Sequence, residues 1–94
     1  MPLDILYSDS AVRSLQRIDR SRARAIVQRV ERLADHSNEL THAALKGRFR
    51  GLLKLRVGDY RVTYTIERDA GTLTVHLVGH RSEIYDITME DDLG

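Results

Sequence analysis

The chain has 94 residues and no cysteine, which makes it one domain and excludes a disulfide framework, a thiolate zinc site and a cysteine nucleophile. Hydrophobic residues at 41% and charged residues at 31% exclude a disordered chain, and no apolar run approaches the roughly 18 residues of a membrane span. The net charge of +1 conceals an asymmetry: residues 83–94 hold five acids and no base, the body before them carries +6, and 13 of the 15 bases are arginine.

The N-terminal stretch lacks the basic start and apolar core of a secretory signal, so a cytoplasmic protein is expected. Leu3, Ile5 and Tyr7 alternate with Asp4 and Leu6, which predicts a short strand. Asp9 or Ser10 is placed to cap a helix from about Ala11, whose apolar residues Ala11, Val12, Leu15 and Ile18 recur at helical spacing. Asp19 or Ser21 caps a second helix running to about His36. Its stripe is Ala23, Ile26, Val27, Val30, Leu33 and Ala34, with Arg22, Arg24, Arg29 and Arg32 off it. The two helices are expected to form a hairpin on one face of a sheet. Residues 36–51 read as a loop with Gly47 and Gly51 in it.

After Gly51 the period changes to two. Leu53, Leu55 and Val57 alternate with Lys54 and Arg56. Tyr60, Val62, Tyr64 and Ile66 alternate with Arg61, Thr63, Thr65 and Glu67, and Leu73, Val75 and Leu77 alternate with Thr72, Thr74 and His76. These are three strands with one apolar face each, and Tyr60 and Tyr64 belong to that face. Gly58-Asp59 is a two-residue hairpin turn of type II′, with glycine first, and residues 68–71 close the next hairpin. The predicted fold is α+β in the order β-α-α-β-β-β, a small antiparallel-rich sheet with the helical hairpin on one face. The domain is expected to span 1–85, with an acidic tail over 86–94.

A two-residue turn sets the register. Val57 then faces Tyr60, Arg56 faces Arg61 and Lys54 faces Thr63. If Glu67 pairs with Thr72, Thr63 faces His76 and Arg61 faces Val78. Lys54, Arg56, Arg61 and His76 would share the sheet face away from the helices, with His80 and Arg81 following at the Arg61 end. Like charges directly opposite each other cost stability, and a bound anion relieves that cost. Arginine forks match phosphate, so a polyanionic partner is expected. His76 and His80 lie about 13 Å apart at strand rise, too far to share a zinc ion.

Three segments carry a resemblance: residues 53–64 (Leu53-Lys54-Leu55-Arg56-Val57-Gly58-Asp59-Tyr60-Arg61-Val62-Thr63-Tyr64), residues 78–85 (Val78-Gly79-His80-Arg81-Ser82-Glu83-Ile84-Tyr85), and Leu45-Lys46-Gly47. Together they resemble the RelE family of the RelE/ParE superfamily of type II toxin–antitoxin systems, over nearly the whole chain. The resemblance implies a ribosome-dependent mRNA endonuclease that cuts in the A site without metal or cofactor. It implies three partners: a RelB-like antitoxin, the ribosome with its rRNA, and mRNA. By motif position the family's active-site residues fall on Lys54, Arg61, Arg81 and Tyr85. Where the family often carries another base, two residues before the lysine, stands Leu52, and His80 is read as compensating, as some relatives have a histidine there. Arg56, Arg48 and Arg50 are read as phosphate-binding. The runner-up is a ParE-like toxin that inhibits DNA gyrase, or a catalytically inactive RNA-binding relative.

The chemistry needs a base to take the 2′ proton, an acid for the leaving 5′-oxygen and cations for the charge that builds on phosphorus. Lys54 is assigned to base or charge stabilisation, Arg61 to the scissile phosphate, Arg81 to the transition state and Tyr85 to stacking on a splayed base. His80 suits the acid on intrinsic grounds. Arg13, Arg17, Arg20, Arg22 and Arg24 are either an rRNA grip or plain solvated charge. The acidic tail is expected to abut the basic face.

Overall fold

A computed structural model describes residues 2–37, 43–44 and 52–82. The elements in chain order are β1 (Asp4–Tyr7), α1 (Asp9–Arg17), α2 (Arg20–Asp35), β2 (Ala43–Ala44), β3 (Leu53–Val57), β4 (Tyr60–Glu67) and β5 (Thr72–His80). They form one mixed sheet in the order β1-β5-β4-β3-β2. β1 runs parallel to β5, and the other pairs are antiparallel. The α+β order expected from the sequence is thus present, with one addition. Ala43–Ala44, inside the predicted loop, pairs with Leu53 and Lys54 and extends the sheet beyond β3. A two-residue strand has too short a pattern to show a period.

The first helix starts two residues earlier than expected. Ser8, not Asp9 or Ser10, is its N-cap, and its hydroxyl accepts from the Ala11 N–H at 3.0 Å. The same hydroxyl donates to the His76 carbonyl at 2.7 Å, and the Ser8 N–H donates to the Val75 carbonyl. Ser8 therefore ends the parallel ladder and begins the helix in one residue, while Asp9 sits in the first turn where the helix dipole favours an acid. Asp19 caps α2 as expected, accepting from the Arg22 N–H. No helix among the described residues is long and apolar enough to cross a membrane.

The hairpin β3–β4 has the predicted register: Val57 opposite Tyr60, Arg56 opposite Arg61, Lys54 opposite Thr63. Gly58 has φ +60° and no non-glycine described residue has positive φ, which is the signature of a type II′ turn. The β4–β5 hairpin begins as predicted, with Glu67 opposite Thr72, and then departs. A bulge falls between Thr63 and Tyr64: Tyr64 faces Val75, but Thr63 faces Leu77 and Arg61 faces Gly79. The expected pairings of Thr63 with His76 and Arg61 with Val78 are corrected accordingly. One extra residue on β5 switches the faces beyond it. Val78, not Leu77, becomes the inward residue, and it is buried. Leu77 and Val78 are both apolar, so alternation alone does not choose between them.

The core joins Ala11, Ile26, Val30, Leu33 and Ala34 of the helices to Val62, Tyr64, Leu73, Val75 and Val78 of the sheet. Each large apolar side chain so buried contributes about 1.5–3 kcal/mol. Val12, placed on the apolar stripe by spacing, stays exposed. Tyr64 is almost fully covered, and burial pushes its phenol up to about 12. Burial and the nearby Glu31 carboxylate raise Tyr7 as well. A raised folded-state value means that the protonated phenol is favoured by folding. That contribution is fully present below about pH 10. It is lost as pH climbs from there through 12, because the unfolded chain ionises first. Melting temperature is therefore expected to fall across that window, and Tyr64→Phe to flatten the fall, as followed by circular dichroism at pH 8, 10 and 11.

Candidate functional site

The sheet face turned away from the helices carries two cross-strand rows. One is Lys54, Thr63 and Leu77; the other is Arg56, Arg61 and Gly79. Directly opposed residues lie about 4.5–5.5 Å apart at their Cα atoms, so the Arg56 and Arg61 stems emerge side by side. Neither row contains an acid. Lys54 and Arg61 are half-buried and Arg56 is exposed. The Arg61 guanidinium curls toward its own turn, where one terminal nitrogen donates to the carbonyls of Gly58 and Tyr60, both at 3.2 Å. Two fixed acceptors hold this cation in place, which a free surface arginine lacks. The third position of its row is Gly79, which adds no side chain beside the guanidinium.

Arg81 follows β5. Its N–H donates to the Asp59 carbonyl at 2.7 Å, carrying the β4–β5 ladder one step further. Counting in register, Asp59 is opposite Arg81 as Arg61 is opposite Gly79, so Arg81 has the parity of the basic row. The bulge is the cause. Along an unbroken ladder His80 would have that parity and Arg81 would have the other.

His80 stands elsewhere. It is opposite Tyr60, with ring centroids 5.5 Å apart and planes at 86°. Tyr60 has the inward parity of Val62 and Tyr64. The His80 Nδ1 accepts the Ser82 N–H at 3.2 Å and lies 2.9 Å from the Ser82 hydroxyl, so in this arrangement the ring proton is on Nε2. His80, expected to follow the basic face at its Arg61 end, thus has the parity of the opposite face. His76 does lie on the outer face, where its Nε2 meets the Thr65 hydroxyl at 2.9 Å. Arg48, Arg50, Tyr85 and the acidic tail lie outside the described residues. Arg13, Arg17, Arg20, Arg22 and Arg24 are all exposed on the helices.

One polar group in the site was read from sequence only as a ladder partner. Thr63 is 1% exposed, and its hydroxyl has no hydrogen-bond partner among the described residues. A buried orphan hydroxyl between Lys54 and Leu77 costs about 1–3 kcal/mol in a plain structural role. Threonine is common on strand faces, so its residue type alone gives no signal.

This geometry can hold a phosphate-bearing chain along the outer face of β3 and β4. The pattern describing the ParE toxin of type II toxin–antitoxin system, parDE, matches residues 5–85. The chain belongs to this toxin family. The toxin's fold matches those of solved RelE proteins in the same superfamily. Against the RelBE2 toxin–antitoxin complex of Mycobacterium tuberculosis the TM-score is 0.78 at 23% identity, covering 87% of this chain and 94% of that one. Against a double mutant of Escherichia coli RelE in the free state it is 0.74 at 14% identity, covering 99% and 97%. Against the RelB–RelE complex of Methanococcus jannaschii it is 0.63 at 25% identity, covering 86% and 95%. Among curated protein sequences none matches significantly. The toxin is thus a type II toxin of the RelE/ParE superfamily, as the sequence motifs suggested.

Proposed function

We propose that the toxin is a ribosome-dependent mRNA endonuclease, active in the cytoplasm on message held in the A site. The observation that carries this reading is the row of Arg56, Arg61 and Gly79, with Arg81 at the same parity and no acid in the row. A phosphodiester offers both cations of this cross-strand pair an anionic partner. In the cleavage, the 2′-hydroxyl loses its proton, its oxygen bonds to the adjacent phosphorus, and the 5′-oxygen leaves with a proton. Arg61, held by two carbonyls, takes the scissile phosphate. Arg81 stabilises the charge that develops there, and Lys54 serves as base or as a third cation. Tyr85, a position that the resemblance implies, stacks on a base, and Arg48 and Arg50 keep their reading as phosphate contacts. His80, turned toward Tyr60, is dropped as the acid. The reading uses no metal or cofactor. Outside the ribosome the partner is an antitoxin, as RelB is for RelE in the Mycobacterium tuberculosis and Methanococcus jannaschii complexes.

One observation favours gyrase as the target instead: the matching family pattern is that of ParE. Primer extension on a message translated in a purified system, run beside a gyrase supercoiling assay, separates the two. Ribosome-dependent cuts at A-site codons with supercoiling intact are the expected result. Intact message with blocked supercoiling would overturn the nuclease reading.

A further inference from the structure

The bulge in β5 sets two side chains where an unbroken ladder has one. Tyr64 pairs with Val75 and Thr63 with Leu77, so His76 is the extra residue. Beyond it Val78 takes the inward position, which leaves Leu77 on the outer face beside His76. Both are half-buried. The His76 Nε2 meets the Thr65 hydroxyl at 2.9 Å, and this bond limits rotation of the ring. Bulges recur beside functional sites, where they re-aim a side chain.

Thr63 lies at the centre of this patch. It faces Lys54 on β3 and Leu77 on β5. Three larger side chains therefore flank it, Lys54 on one side and His76 with Leu77 on the other, which accounts for its 1% exposure. Arg61 stands two residues from Thr63 along β4, and Gly79 two from Leu77 along β5, so the patch is about 7 Å from the basic row at strand rise. On its other side the next row, Leu6, Thr74 and Thr65, carries no charge. The acids Asp4 and Glu67 both pair with Thr72, one row further still. An aliphatic and aromatic surface thus borders a cationic one on the same sheet face, with no acid between them.

We propose that His76 and Leu77 form the platform for a nucleobase of the message, the base of a nucleotide flanking the scissile phosphate, and so are specificity-determining residues. The proposal rests on the nuclease reading above. Charge complementarity selects the occupant. A nucleotide joins a flat ring to an anion, and here a ring and an aliphatic side chain stand beside Lys54, Arg56 and Arg61. Single-stranded RNA brings one phosphate with every base, whereas a protein segment needs carboxylates spaced to match the cations. The Thr65 hydroxyl holds the imidazole in place, so less ordering remains to be done when the base arrives.

Single-turnover cleavage on purified ribosomes carrying a synthetic message tests this, once primer extension has located the cut. Each nucleotide flanking the scissile phosphate is made abasic in turn. With wild-type toxin, one of the two abasic messages is expected to raise the half-saturating toxin concentration about tenfold, the worth of one stacked base. The maximal rate is expected to stay within about threefold, because the contact binds ground state and transition state alike. His76→Ser with Leu77→Ser is expected to raise the same concentration about tenfold on intact message and to lose the distinction between intact and abasic message. Its melting curve verifies the fold, and the abasic arm on wild-type toxin stands whether or not the double variant folds. If neither abasic message weakens wild-type binding, or if the two losses add in full, the platform is overturned while the nuclease reading stands. If wild-type toxin cuts no message, the nuclease reading falls and the proposal with it. If the double variant binds its antitoxin less tightly but keeps the cleavage constants of wild type, the patch belongs to a protein partner and the proposal is overturned.

Discussion

The double substitution Arg61→Ala, Arg81→Ala is expected to reduce A-site cleavage by about 10³-fold or more, with the melting temperature shifted by only about 5 °C or less. The size follows from what the two cations do. Removing a single preorganised donor from a developing anion typically costs about 10²–10³ in rate, and here two are removed. Arg61 is preorganised by its bonds to the Gly58 and Tyr60 carbonyls, and the backbone bond from the Arg81 N–H to Asp59 sets where the Arg81 stem leaves the strand. The backbone bond survives the substitution, so stability should change little. Arg56 stays on its strand in the mutant, so RNA contact should weaken less than the rate. Rates of message loss under single-turnover conditions, with thermal melts of the same preparations, check this. A double mutant that cuts within tenfold of wild type would show that the basic row does not carry the reaction.

Leu73→Ala is expected to have the largest effect on stability. Leu73 is fully buried and pairs on one side with Ile5 of β1 and on the other with Ile66 of β4. It therefore sits where the single parallel contact joins the antiparallel hairpins. Leu→Ala substitutions in such sites cost about 2–5 kcal/mol, and a domain this small has only about 5–15 kcal/mol in total. The melting temperature should fall by roughly 10 °C or more. Leu6→Ala is the control on the neighbouring strand β1, since Leu6 is 53% exposed. If the two substitutions melt alike, the core does not run through Leu73.

Three parts of the candidate site differ in how far they could be read from residues alone. Lys54, Arg56 and Arg61 were placed on one face because a two-residue turn with glycine first has few geometries, and each sets the pairing of every residue before and after it. Arg81 and His80 were not separable, because one bulge five residues upstream decides which of them shares the parity of Arg61. Thr63 gave no signal, since its burial depends on neighbours and not on its type.

The same division holds for the whole toxin. By itself the sequence determined the order of every element but β2, the helical stripe of Ile26, Val30, Leu33 and Ala34, and the β3–β4 register, because period and turn chemistry are local. The RelE/ParE resemblance was also legible, being carried by short runs of adjacent residues. Only the tertiary structure decided that Ser8 caps the first helix, since its hydroxyl answers to His76, 68 positions away. It alone placed Ala43–Ala44 at the sheet edge. It alone put the bulge at His76–Leu77, where two adjacent apolar residues, Leu77 and Val78, let the chain exchange one inward side chain for the next. Such outcomes depend on which distant surfaces meet, and alternation within a single strand carries no record of that.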